Sequence, residues 1–274
     1  MKVKNLDGKL AVIVGGSSGI GYSIAKQLAC HGCQILLAAR DVNNLQKAAD
    51  KLSKVSSVPV NIVSVDISHS PDIDKLKQAV ESLAPAADIL INSAGAVSCG
   101  KLHETPLAEW KRLHSLNVEG LVEILRVLLP AMRIQCENDK QQRHIVNIAS
   151  AAGLMGFSGM SAYSATKGAV ISLSECLRAE LSRTPIGVTT VCPSFVQTPI
   201  ASKVQIFGSM NNPKTEQRIQ DMFGSDNLTP EKVALATMHA IDKNQGFLVV
   251  GNKAKLGYAI KRLSPYLFEK FVSR

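Results

Sequence analysis

The fold class this sequence predicts is a single α/β domain on a doubly wound parallel sheet, and three observations predict it. Seven aliphatic runs recur along the chain: LAVIVGG, QILLAAR, VNIVSVD, DILINSAG, HIVNIAS, GVTTVCP and GFLVVGN. Strands buried on both faces of a sheet read as such continuous Val/Ile/Leu runs. Segments of helical length separate the runs, and strands alternating with helices imply a parallel sheet. The composition, 46% hydrophobic but only 4% aromatic, suits aliphatic helix-on-sheet packing. At 274 residues the chain is long enough for one large core. No linker-like stretch, internal repeat or low-complexity segment divides it, so one domain is expected over 1–274.

The first element ends in VIVGGSSGIG, residues 12–21, where glycines and serines join a strand to a helix. A strand, a glycine-rich turn and a helix open a dinucleotide-binding unit of the Rossmann type. Glycine permits the tight turn and the close approach of backbone to a pyrophosphate at the positive end of the helix. The spacing, Gly15-x-x-x-Gly19-x-Gly21, differs from the common G-x-G-x-x-G; such turns also occur for packing alone. The helix then closes on Cys30 and Cys33. A redox C-x-x-C follows a strand and opens a helix, the reverse of this order, and no second ligand pair suggests zinc. Packing of two small residues around Gly32 is expected, and no metal site.

The second strand, QILLAARD, bears on cofactor choice. It ends at Ala39, a methyl group where an NAD-preferring site carries an acid on the ribose 2′-hydroxyl. Arg40 follows, and its guanidinium suits a 2′-phosphate, with Ser17 and Ser18 as further donors. Asp41 is expected to cap the helix of DVNNLQKAADKL. NADP(H) is favoured over NAD(H).

Farther on, Tyr163 and Lys167 are four residues apart and share one helical face. A lysine ammonium beside a phenol is expected to draw its pKa from about 10 towards neutrality, making a group that trades a proton with a carbonyl or alcohol oxygen.

With these pieces in order, the chain resembles the classical short-chain dehydrogenase/reductases, single-domain Rossmann-fold oxidoreductases. The match runs from about residue 8 to residue 200 and rests on the glycine turn, Asp66 in VSVDIS, NSAG at Asn92 to Gly95, LNVEG with Asn117, IAS with Ser150, YSATK with Tyr163 and Lys167, and CPSFVQTPI with Thr198. Ser150 and Tyr163 are 13 residues apart, the family's spacing. Three positions depart from the pattern: Val14 for threonine, Ser93 for the second asparagine of the turn after the fourth strand, and Ser194 for the glycine after Pro193.

The resemblance implies catalytic roles for Asn117, Ser150, Tyr163 and Lys167. It implies a cofactor site of Gly15, Ser17, Ser18, Gly19, Ile20, Gly21, Arg40, Asp66, Ile67, Asn92, Ala94, Gly95, Tyr163, Lys167, Pro193, Val196 and Thr198. Substrate carbonyl would be held by Ser150 and Tyr163, with Tyr163 as proton donor; Lys167 would bond the nicotinamide ribose and Asn117 a proton-relay water. It further implies pairing through the central helices, around 107–134 and 162–183, into a homodimer or homotetramer.

Substrate is less marked. The segment 200–226 is expected to cover the site, and Ile200, Val204, Ile206, Phe207, Met210, Met222 and Phe223 make it apolar. GGSSGIG, AARD, VSVDIS and AGAVSCGKL also resemble segments of 3-ketodihydrosphingosine reductases, which implies an NADPH-dependent reductase of a long-chain 3-keto, lipid-like compound. A 3-oxoacyl thioester, a steroid or a retinoid is the alternative, and a non-catalytic nicotinamide-binding regulator a different class. The tail 254–274, LGYAIKRLSPYLFEKFVSR in its main part, covers the site, lies in a subunit interface or docks on an anionic membrane; Pro265 is expected to interrupt its helix.

The net charge of +9 raises nucleic acid as a partner, but no recognition motif supports it. The lysines near the start precede a short apolar run without a cleavage site, no apolar stretch approaches the roughly 20 residues of a bilayer span, and six cysteines make no disulfide framework. A cytoplasmic protein is expected, with peripheral contact at a membrane surface left open.

Overall fold

The structure is a computed structural model that describes residues 6–224 and 226–272. All seven aliphatic runs form strands of one parallel sheet: β1 (Leu10–Val14), β2 (Gln34–Ala39), β3 (Val60–Ser64), β4 (Ile89–Asn92), β6 (Arg143–Ile148), β7 (Ile186–Pro193) and β9 (Phe247–Val250), in the order β3-β2-β1-β4-β6-β7-β9. Two short strands, β5 (Ser98–Cys99) and β8 (Gln205–Ile206), pair separately above the sheet's carboxyl edge.

Both faces of the sheet are buried, which is why its strands do not alternate. Val12 and Leu36 pack with Leu76, Leu128 and Val170 on one side, from α3 (Ser70–Glu81), α5 (Gly120–Asp139) and α7 (Ser161–Glu180). Ile13 and Leu37 pack with Ile24, Leu45 and Val233 on the other, from α1 (Gly19–Cys30), α2 (Val42–Leu52) and α9 (Pro230–Asp242). Neighbouring residues of one strand thus feed opposite cores, each needing an aliphatic side chain.

The strand order reverses between β1, which pairs with β2, and its other neighbour β4. Ligands of open α/β sheets bind outside the carboxyl ends of the strands at such a point.

The first central helix is not continuous. α4 (Leu107–His114) passes into α5 through a π-helical turn, Ser115–Glu119, with Asn117 at its middle. A one-residue widening leaves the apolar periodicity on both sides nearly unchanged, so sequence alone reads one helix; such turns often mark functional sites. The segment after β7 folds as β8, two short turns and α8 (Pro213–Gly224). The chain then runs through α9 and β9 to α10 (Asn252–Leu263) and α11 (Pro265–Val272), broken at Pro265 as expected. Between β6 and α7 lies the single turn α6 (Ala151–Leu154). Both cysteines are free thiols, but only Cys33 packs into the core beneath the turn; Cys30 is exposed, contrary to the expected packing of both.

Candidate active site

A cavity of about 1140 Å³ lies along the carboxyl ends of the central strands. At one end its wall is backbone. Gly15 has φ +81, and a Cβ there would stand 2.5 Å from the Ala94 amide nitrogen; at Gly21 it would stand 2.4 Å from the Gly15 carbonyl oxygen. Those two glycines let the β1 and β4 turns touch, which no other residue type permits. α1 begins beside them with no side-chain cap from Ser18 and no acid in its first turn. Its first amides and its positive dipole end are therefore left for an anion. This glycine cradle under an uncapped helix start fits a dinucleotide pyrophosphate.

Ser17, Ser18, Gly19, Ile20, Arg40, Ile67, Ala94, Gly95, Pro193, Val196 and Thr198 all line the cavity, as do Ser150, Tyr163 and Lys167. Four expected residues do not. Gly21 packs behind Gly15. Asn92 is buried and donates to Asn147 Oδ1 at 2.8 Å. Asp66 turns back to accept from the Ser68 hydroxyl at 2.6 Å and its amide at 3.0 Å, while its neighbours Val65 and Ile67 line the wall. Burial works to raise the Asp66 carboxyl, but the Ser68 bonds and the charge of Arg40 outweigh it and hold it below the usual range.

Asn117, the fourth, braces the wall from behind. Its Oδ1 accepts from the Ala96 amide at 2.9 Å, and its Nδ2 donates to the Ala96 carbonyl and to Thr166 Oγ1, each at 3.0 Å. It thereby ties the turn after β4 to α7 one residue before Lys167. A Cβ at Gly95 would stand 3.1 Å from Asn117 Oδ1 and 3.4 Å from Lys167 Nζ, so the three meet at one point.

At the edge of the sheet, both carboxylate oxygens of Asp41 are taken by Asn44, by its amide at 3.0 Å and its side chain at 2.8 Å. Arg40 lies exposed on the cavity wall beside the Ala39 methyl.

The titratable centre lies midway. Ser150 caps α6, accepting from the Ala152 amide at 3.1 Å. Lys167 Nζ donates to the Ile148 carbonyl at 3.0 Å and lies 6.0 Å from the centre of the Tyr163 ring. Burial pushes the Tyr163 phenol up to about 12, against the opposing hydrogen bond of Ser150, and pushes Lys167 down to about 8. The expected drop of the Tyr163 pKa is therefore not found in this structure. Desolvation of the phenolate outweighs the hydrogen bond of Ser150, so the phenol holds its proton at neutral pH.

The far end is apolar. Phe157, Phe195 and Phe223 form a ladder, with ring centres 6.0 Å apart for Phe157–Phe195 and 5.5 Å apart, edge to face, for Phe195–Phe223. Met155, Met160, Ile200 and Met222 continue that wall. Val204, Ile206 and Met210 anchor the covering segment on Val97 and Cys99 instead, and Phe207 donates its amide to the Cys99 carbonyl at 2.8 Å. Leu256, Gly257, Ile260 and Phe268 of α10 and α11 close the side, so the tail covers the site. Sequence reasoning missed Phe157 and Phe195; they stand in loops, and only proximity to the recognised serine and Pro193 would have pointed to them. Ser194 also lines the cavity and adopts no positive φ, so the replaced glycine causes no strain.

A doubly wound sheet with a glycine cradle at its switch point and a Ser/Tyr/Lys group in the same cavity defines a nicotinamide-dependent oxidoreductase acting on carbonyl or alcohol groups. The model of the short chain dehydrogenase family matches residues 9–206, and the chain belongs to that family. It is 31% identical over 236 residues to an uncharacterized oxidoreductase of Staphylococcus aureus strain MW2, covering 86% of this chain and 92% of the relative. Among solved structures it is similar to a short chain dehydrogenase/reductase from Burkholderia phymatum in complex with NAD, with TM-score 0.86, 29% identity and 96% of each chain covered. It is also similar to the L-sorbose reductase of Gluconobacter frateurii complexed with NADPH and L-sorbose, with TM-score 0.77, 27% identity and 90% and 96% covered.

Proposed function

We propose that this chain is an NADP(H)-dependent reductase of apolar ketones, with a long-chain 3-keto compound as the best-fitting substrate type. The observation that carries the reading is one continuous cavity with the glycine cradle at one end, the phenylalanine ladder at the other, and Ser150, Tyr163 and Lys167 between them. When bound, a reduced nicotinamide cofactor supplies the hydride. Gly15, Ser17, Ser18 and Gly19 would hold its pyrophosphate, and Val65 and Ile67 line the wall where its adenine would lie. Arg40 would pair with a 2′-phosphate. Support for the phosphorylated cofactor comes from Arg40, an exposed cation on the cavity wall next to the Ala39 methyl, beside an Asp41 carboxylate that caps α2 by accepting from Asn44.

Ser150 and Tyr163 donate hydrogen bonds to the substrate oxygen, and Tyr163 passes its proton to that oxygen as negative charge develops there. A phenol that keeps its proton at neutral pH suits this direction. Lys167 would bind the nicotinamide ribose and compensate the transient phenolate. Asn117 fixes the turn that places Gly95 against Lys167. The segment 200–226 contributes Ile200, Met222 and Phe223 to the substrate wall. The apolar groove between α5 and α7, lined by Leu125, Leu129, Ile134 and Leu173, suits pairing of two copies.

The test is initial-rate oxidation of NADPH and of NADH with a long-chain 3-keto base, a 3-oxoacyl thioester, a steroid ketone and a sugar ketone. Turnover of the long-chain ketone with NADPH is expected. Turnover confined to the sugar ketone, or to NADH, overturns the substrate or the cofactor half of the reading respectively.

A further inference from the structure

α10 and α11 have two unlike faces. The inner one lines the cavity with Ala254, Gly257, Ile260 and Phe268, and Lys261 fastens it by donating to the Leu154 carbonyl at 2.6 Å. The outer one exposes apolar side chains: Leu263 is 85% exposed, Leu256 and Tyr266 64% and Leu267 57%. These are four of the ten large apolar side chains exposed among the described residues, gathered within 12 positions of sequence. Leu256 and Leu263 are seven apart and share one helical stripe.

The same stretch is strongly basic. Residues 252–270 hold Lys253, Lys255, Lys261, Arg262 and Lys270 against the single acid Glu269. Lys255, Arg262 and Lys270 are exposed beside the apolar residues; Arg262 lies 5.8 Å over the Tyr258 ring and Lys270 4.5 Å over the Tyr266 ring. Cations interleaved with Leu and Tyr on an exposed helical surface are the chemistry of interfacial binding to anionic lipid. No described helix is long and apolar enough to cross a membrane, so such contact is peripheral.

We propose that the outer face of α10 and α11 docks on an anionic lipid surface and holds the cavity mouth against it. Leu256 is both exposed and part of the cavity wall, which places the rim of the cavity at the docking face. An apolar substrate then passes from the bilayer along Leu256 and Ile260 without crossing water. The choice of cargo rests on the reading of the cavity given above; the docking does not, and the experiment measures docking without substrate.

Full-length protein is sedimented with vesicles of phosphatidylcholine alone and of equimolar phosphatidylcholine and phosphatidylglycerol. Binding to the anionic vesicles only, weakened by salt, is expected. The triple variant Lys255→Gln, Arg262→Gln, Lys270→Gln is expected to partition about a hundredfold more weakly, at roughly fivefold per basic residue. Leu263→Ser with Leu267→Ser is expected to stay in the supernatant. Both variants should bind NADPH as the parent does, which reports an intact fold. A parent protein that ignores anionic vesicles overturns the proposal. So does a leucine variant that still binds vesicles but sediments as a smaller species in analytical ultracentrifugation, which assigns the face to a second copy of the chain.

Discussion

The two ends of the cavity are made of different material. The cofactor end is backbone: glycines 15 and 19 with Gly21 packed behind Gly15, the start of α1 and the turns after β1 and β4, drawn mostly from the first 95 residues. The substrate end is side chains: Phe157, Phe195, Phe223 and Ile260 come from four separate segments beyond residue 150. A backbone wall tolerates no Cβ, so it demands particular residues at particular spacings. A side-chain wall asks only for apolar bulk and admits many solutions. One fold can thus keep its cofactor end while the other end changes substrate.

Sharpening this contrast means perturbing one end and reading both. Among changes at the two ends, the largest effect is expected from Arg40→Gln, which removes a charge-assisted contact. NADPH affinity by titration should fall roughly ten- to a hundredfold, with NADH affinity and the KM for ketone nearly unchanged. Equal losses for both cofactors would mean that Arg40 does not read the 2′-phosphate.

Next is the pH dependence of the centre. Lys167, lowered to about 8, is charged below that pH and neutral above it. The kcat/KM for reduction, which reports the free enzyme, should therefore decline above about pH 8, approaching tenfold per unit. Lys167→Arg, charged throughout, should lack this limb. A profile flat to pH 10 for the parent would show that the lysine charge is not required.

Phe223→Ala breaks the ladder at the far end. The KM for a long-chain ketone should rise about tenfold through lost ring packing and burial, with the NADPH dissociation constant unmoved. A shift in both would show that the two ends are coupled.

The smallest effect lies outside both ends and calibrates them. His144 Nε2 lies 2.7 Å from Thr189 Oγ1, whose own proton goes to the Gln245 carbonyl at 2.7 Å. The imidazole therefore donates through Nε2, and its buried Nδ1 has no partner for a second proton. Burial, with the charge of Arg178, lowers its pKa from 6.5 to about 3. The unfolded chain binds that proton more readily, so stability is full above about pH 6.5 and falls as the pH drops towards 3, by at most about 1.4 kcal/mol per unit. Urea midpoints between pH 7 and about pH 5, above the carboxylate range, should show this slope in the parent and not in His144→Gln.

The same contrast explains what was legible in the sequence. All seven strands were, because burial on both faces leaves uninterrupted aliphatic runs. The Asp41 cap was legible because a helix N-terminus calls for a short acceptor side chain. The break at Pro265 was legible because proline cannot continue a helix. The π-helical turn around Asn117 was hidden, since one extra residue barely disturbs a 3.6-residue period. Phe157 and Phe195 were hidden because nothing local distinguishes a loop phenylalanine that faces a cavity from one that faces a core. The Tyr163 pKa was misread because spacing places Lys167 on the right face but says nothing of the desolvation around both.

The most direct test is Tyr163→Phe, the residue at which both ends meet. NADPH binding is measured by fluorescence titration, and reduction of a long-chain ketone is followed over a single turnover. The account predicts NADPH affinity within about twofold of the parent and reduction slowed by about 100-fold or more. Reduction at the parent's rate would contradict it, since the proton would then come from elsewhere.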